Sequence, residues 1–188
     1  ADSVVKEIHE QGGEAVTSYE SVATMSGGEA IINKALNTFG KLDIVVTCAG
    51  VLRDRMIFNM TEEEWDSVIA VHLKGTFTIV KHAAILFRQQ RSGRIITFSS
   101  TSGLIGNTGQ ANYGAAKDGV AGFTRVVARD LGRYGITCNS IAPSANTRMI
   151  AAIPESSKQA KAGAGIASSG GGDLRGDADD IAPFTTWL

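Results

Sequence analysis

The 188-residue sequence has no excess of either charge: 18 Lys and Arg stand against 19 Asp and Glu, a formal net charge of -1. That balance gives no electrostatic argument for binding a nucleic-acid backbone or an anionic membrane surface. No basic patch with interleaved aromatics suggests a nucleic-acid module either. No apolar run reaches the roughly 20 residues that span a bilayer, and no signal peptide is visible, so no membrane partner is expected. Cysteine is scarce. Cys48 and Cys138 form no C-x-x-C pair, and each sits in or at the end of an apolar run. Both are expected as buried free thiols in a reducing compartment, cytoplasmic rather than secreted. No metal site is expected. There is no internal repeat, and the start at Ala1 rather than Met suggests that the natural N-terminus lies upstream.

What is present is a globular composition, 43% hydrophobic, in a length that suits one domain with a real core. Helix-like and strand-like segments alternate, which predicts an α/β fold: a doubly wound parallel sheet with helices on both faces. Residues 2–11 read as a helix with Val4, Val5 and Ile8 on one face, ended by Gly12 and Gly13. Residues 14–20 read as a strand, and 28–39 as a helix stopped by Gly40. Residues 42–48 form a near-continuous apolar strand, as expected when both faces are covered. Thr61 and Glu64 make a capping box that opens a long helix to about residue 88. A strand over 93–99, a helix over 112–133 and a strand over 135–142, stopped by Pro143, complete the pattern. Residues 154–180 are rich in Ser, Gly and Ala, and 151–176 are expected to be a mobile loop beside the substrate. Asp177 or Asp179 would cap a last short helix through Trp187.

Chemistry is concentrated in three residues. Tyr113 and Lys117 stand four apart at the start of a predicted helix, so their side chains share a face. A phenol is a poor acid or base near neutrality, and a nearby ammonium should pull its pKa toward the working range. Lys117 could also reach a ribose hydroxyl. Ser100 closes an apolar strand, where ligands gather in open parallel sheets, and can donate to a substrate oxygen. Ser99 is its competitor. The connection over 103–109 is glycine-rich, which lets backbone pass close to a ligand. The bland alternative is an exposed helical tyrosine beside a solvated lysine.

Ser100 followed by Tyr113-Gly114-Ala115-Ala116-Lys117 resembles the short-chain dehydrogenase/reductase family, and the likeness runs to the terminal loop. The resemblance implies a Rossmann-like fold and a nicotinamide cofactor. It makes Tyr113 the general acid/base, Lys117 its pKa tuner and nicotinamide-ribose ligand, and Ser100 the polariser of the reacting carbonyl. Thr47-Cys48-Ala49-Gly50 stands where the family has Asn-Asn-Ala-Gly at the adenosine ribose. Ala49 and Gly50 fit, while Thr47 and Cys48 depart and lose an Asn that ties strands together. Glu20, Ser21 and Val22 occupy the place of the adenine contacts. His72 replaces the Asn of the family's proton relay, and histidine can also relay protons. The other reading of His72 is a satisfied helical histidine. Pro143, Ala145, Asn146 and Thr147 resemble the segment at the nicotinamide end, with Ser144 where a Gly is usual. His9 and His82 are expected at the surface.

Residues 49–56, 71–77, 106–113 and 138–143 resemble the (3R)-hydroxyacyl-CoA dehydrogenase modules of peroxisomal multifunctional β-oxidation enzymes and their bacterial relatives. Similar wording around Tyr113 occurs in 3-oxoacyl-[acyl-carrier-protein] reductases. The implied substrate is a 3-hydroxyacyl or 3-oxoacyl thioester, with a hydroxysteroid or a catalytically silent role as alternatives. The implied cofactor is NAD, with NADP not excluded. The implied location is cytoplasmic, or peroxisomal in a eukaryote. Family members pair the helices corresponding to 61–88 and 112–133 into homodimers and homotetramers. Ala115, Ala116, Gly119 and Gly122 would permit that close approach. The family's phosphate-binding Gly-x-x-x-Gly-x-Gly turn is absent, so 1–188 is expected to be a single incomplete domain, truncated at both ends. Pyrophosphate binding needs the backbone amides of that turn's helix. These residues alone are therefore expected to fold poorly and to bind cofactor weakly.

Overall fold

The computed structural model of the chain describes residues 1–146 and 176–188. The predicted loop over 151–176 lies outside them except for Gly176. Helix α1 spans Asp2–Glu10 and α2 spans Met25–Phe39. The second begins three residues before the sequence pattern suggested, because Thr24 caps it by accepting from the Gly27 amide. Strand β1 is Ile44–Thr47. A capping box between Thr61 and Glu64 opens α3, Glu62–Ile69. A π-helical turn over Ala70–Lys74 joins it to α4, Gly75–Gln90. Strand β2 (Gly93–Phe98), the short α5 (Thr101–Leu104), α6 (Ala111–Gly132) and β3 (Ile136–Ile141) follow. A two-residue parallel pair joins β4 (Ala145–Asn146) to β5 (Gly176–Asp177), and α7 spans Ile181–Trp187.

Strands β1, β2 and β3 pair in parallel in that order, with Thr47 beside Thr97 and Phe98 beside Ile141. The crossovers are the α3–α4 helix and α5–α6, as parallel neighbours require. Val45, Ile95, Ile136 and Cys138 of the sheet meet Ile79, Val80, Ala83, Phe87 and Leu131 of α4 and α6 in one buried cluster, joined by Ile32 of α2. Phe87 is fully buried, and Gly93 makes room for it: a Cβ there would lie 2.3 Å from the Phe87 ring. The alternate residues Ile44 and Val46 are 56% and 45% exposed. The described helices therefore cover one face of the sheet far better than the other.

Several expectations change. Residues 14–20 join no strand, because a ladder needs a neighbour and the described sheet offers none there. Instead the Ala15 backbone meets His9, and the Tyr19 hydroxyl donates to Asp2. The continuous helix Glu62–Gln90 is long and apolar enough to cross a membrane by length and composition. Its apolar face lies on the sheet, so it is a core helix. Cys48 is exposed, whereas Cys138 is buried as expected, and both are free. His82 is half-buried rather than on the surface, and its Nε2 is buried with no hydrogen-bond partner among the described residues. The last helix takes Asp180 rather than Asp177 or Asp179 at its N-cap, and Asp180 accepts from the Asp177 amide.

Candidate active site

Parallel strands ending together create the site. Ser99 and Ser100 leave the C-terminal end of β2, and α6 runs back beside them. The two serines diverge. The Ser99 hydroxyl is buried and donates to the Lys117 carbonyl at 2.8 Å, which removes it from competition. Ser100 caps α5, accepting from the Ser102 amide at 3.1 Å, which leaves its hydroxyl hydrogen free to be donated. Gly103 lets this turn press on α6, since a Cβ there would fall 2.6 Å from the Asp118 amide nitrogen. Gly103 thus serves contact between protein segments, while Gly106 and Gly109 take left-handed turns.

Tyr113 and Lys117 do share a face of α6. The Lys117 Nζ stands 5.7 Å from the Tyr113 ring centroid and donates to the Phe98 carbonyl at 2.5 Å. Ser100 lies close enough to the Tyr113 phenol to act on its pKa. Their electrostatics differ from the expectation. Burial, not the ammonium, dominates Tyr113 and raises its pKa; Ser100 opposes this and Asp54 adds to it. Burial also brings Lys117 down to about 8, with Cys48 working the other way. In this arrangement the phenol rests protonated at neutral pH.

His72 lies in the π-helical turn, where such turns often mark functional positions. It is 3% exposed, and its ring stands edge-on to Tyr113 with centroids 5.0 Å apart. Nε2 is 2.8 Å from the Val51 carbonyl oxygen and 3.0 Å from the Val51 amide. Nδ1 is buried with no hydrogen-bond partner among the described residues. Burial drives its pKa down to about 4 against the Val51 hydrogen bond, so the ring is neutral. Gly50 is required beneath it, because a Cβ there would sit 2.5 Å from Cε1.

A cleft of about 140 Å³ opens at the end of β1, lined by Val22, Thr47, Cys48, Ala49, Gly75 and Thr76 among others. It takes in three of the residues expected at the adenosine end. Glu20 and Ser21 are exposed and lie outside its lining. Thr47 Oγ1 is buried at the wall with no hydrogen-bond partner among the described residues, a polar group suited to a ligand hydroxyl. Cys48 is exposed as a residue, but its thiol is partly desolvated at the cleft wall, which raises its pKa, and Lys117 opposes this. Pro143 is half-buried and Ala145 is buried in β4, next to Asn146. Thr147 lies outside the described residues.

Sequence reasoning assigned no role to Asn112, Gln110 or Asp54. Asn112 is fully buried and donates to the Arg53 and Glu64 carbonyls, both at 2.9 Å. Gln110 donates to both Asp54 carboxylate oxygens, at 3.1 and 3.0 Å. These residues lie in the stretches 49–56 and 106–113, and nothing in either sequence says that the two meet. Of the small residues expected at a helix-pairing face, Ala116 is fully buried and Gly119 packs on Leu73 of the same chain.

Residues 1–158 match the family described as short chain dehydrogenase. The chain is 46% identical over 149 residues to the peroxisomal multifunctional enzyme type 2 of Mus musculus, covering 79% of this chain and 20% of that protein. It is 43% identical over 143 residues to a 3-oxoacyl-[acyl-carrier-protein] reductase of Synechocystis, covering 76% and 58%. A solved short chain dehydrogenase from Mycobacterium avium superposes with a TM-score of 0.74 at 51% identity, over 77% of this chain and 53% of that one. The chain spans about half the length of the single-enzyme relatives it matches.

Proposed function

Because this chain belongs to the short chain dehydrogenase family, we propose that the whole protein interconverts 3-hydroxyacyl and 3-oxoacyl thioesters with a nicotinamide cofactor. The observation that carries this is the convergence of Ser100, Tyr113 and Lys117 at the end of β2. The similarity to the Synechocystis enzyme, whose name states 3-oxoacyl reduction, supports the substrate class.

The nicotinamide ring supplies or accepts the hydride when bound. The chain's own residues do the rest. Ser100 donates to the substrate oxygen and fixes its position. Tyr113, held protonated, gives its phenolic proton to that oxygen as the ketone becomes an alcohol, and takes it back in the reverse direction. Lys117 brings a buried cation to the same spot and offers Nζ to a ribose hydroxyl. His72 completes the group as a neutral ring beside Tyr113. Val22, Cys48, Ala49 and Gly50 form the adenosine side, with Glu20 and Ser21 at its outer rim. Pro143, Ala145, Asn146 and Thr147 are assigned to the nicotinamide side. The cofactor is NAD, on the closer likeness to hydroxyacyl-CoA dehydrogenases. We assign a homodimer or homotetramer built on α3–α4 and α6, where Phe77 and Val126 are exposed. The location is cytoplasmic, or peroxisomal in a eukaryote.

The test is Tyr113→Phe in the full-length protein, assayed by cofactor absorbance with a 3-oxoacyl thioester. Loss of turnover by about 10²- to 10⁴-fold is expected for a missing general acid. Unchanged turnover overturns the reading.

A further inference from the structure

We propose that Asn112 is a positioning residue for Tyr113: its carboxamide fastens the start of α6 to the segment bearing Asp54 and to α3. The inference rests on the reading of Tyr113 as the acid/base.

The Asn112 side chain uses its whole donor set. Both Nδ2 hydrogens go to backbone carbonyls, Arg53 and Glu64, each at 2.9 Å. Oδ1 accepts from the Tyr113 amide at 2.7 Å. The orientation is fixed by these partners, since turning the amide over would set its oxygen against two carbonyl oxygens. The Tyr113 amide is one of the helix-start donors that no intrahelical carbonyl can reach. Asn112 satisfies it from the adjacent residue and thereby ties the Tyr113 backbone to two other segments.

Those segments are themselves held. Arg55 grips the Glu64 carboxylate with Nη2 at 2.8 Å and Nε at 3.1 Å, and Glu64 closes the capping box on Thr61. The Arg55 amide donates to the Gly109 carbonyl at 2.8 Å, and Gln110 spans to Asp54. Asn112 is the member of this frame bonded to the Tyr113 backbone. Loosening it would let the phenol drift relative to Ser100 on one side and Asp54 on the other. A displacement of about 1 Å at a reacting group is enough to cost about 100-fold in rate.

The experiment compares Asn112→Ala and Asn112→Ser with the parent in the full-length protein, with Tyr113→Phe alongside. Three quantities are read: kcat for reduction, its alkaline pH limb, and cofactor affinity. For Asn112→Ala the expectation is a fall in kcat of about 10- to 100-fold with cofactor affinity unchanged. The alkaline limb should shift, because a displaced Tyr113 changes its burial and its distances to Ser100 and Asp54, which together set its raised pKa. Asn112→Ser can still accept from the Tyr113 amide but cannot reach both carbonyls, so it should fall between the two; it carries the test if the alanine variant does not fold. An unshifted limb, or a kcat loss matched by an equal loss of cofactor affinity, overturns the inference while Tyr113→Phe remains inactive. An active Tyr113→Phe instead removes the reading on which it stands.

Discussion

Gly50 should be irreplaceable because of one ring. An added Cβ would lie 2.5 Å from His72 Cε1, so about 0.9 Å of movement is needed to restore an ordinary 3.4 Å contact. The ring cannot supply it cheaply. Its Nε2 is tied to Val51, and its other side meets the Tyr113 ring. Overpacking of this kind costs about 1–3 kcal/mol. Backbone strain is not involved, since Gly50 does not hold a left-handed conformation. The cost should therefore vanish when the ring is removed. Guanidinium unfolding of the parent, Gly50→Ala, His72→Ala and the double variant forms a closed cycle. The double variant is expected to be less destabilised than the two singles added together, by at least about 1 kcal/mol. Additivity within about 0.5 kcal/mol would refute the steric argument. A ring displaced by Gly50→Ala should also disturb Tyr113, so turnover is expected to fall with stability and to recover partly in the double variant.

Carbonyl reduction should slow as pH rises through the elevated Tyr113 pKa, because the proton donor is then lost; alcohol oxidation should quicken over the same range. Initial rates in both directions check this, and parallel profiles would contradict it. Lys117, at about 8, should add a second titration that disappears in Lys117→Met. Glu64 is brought down to about 2 from 4.5, first by Arg55 and then by the Thr61 amide. Its folded pKa lies below its unfolded one, so it adds stability above pH 4.5 that drains away as pH falls toward 2. Melting temperature against pH should therefore drop more steeply over that window in the parent than in Glu64→Gln. Ser99→Ala and Ser100→Ala should separate in activity: both cost stability, the first through the lost bond to the Lys117 carbonyl and the second through the lost α5 cap, but Ser100→Ala alone should cost kcat beyond what the lost stability explains. A polypeptide of these 188 residues alone should melt without a sharp transition, since Ile44 and Val46 stand open on the sheet; a cooperative melt with micromolar NAD binding would refute that.

The elements that could be read in advance share a property: their signals are local. The Thr61–Glu64 box, the stop at Gly40 and the apolar run of β1 each depend on neighbours within a few residues, and each appears where expected. The segment 14–20 did not follow its pattern, because a strand is completed by another strand. Cys48 and His82 were misplaced for a related reason. Burial at the end of an element depends on what packs there, and periodicity along one segment carries no record of it.

The sequence alone determined the order of the three sheet strands and their crossover helices, the family, and the identity of the three chemical groups, because spacing along one helix already sets Tyr113 and Lys117 on a common face. Tertiary structure decided their states. Which serine is free, why the phenol rests protonated, what silences His72 and what anchors Tyr113 all depend on burial and on backbone carbonyls supplied by distant segments. Desolvation and hydrogen bonding act through space, and only the folded chain sets those distances.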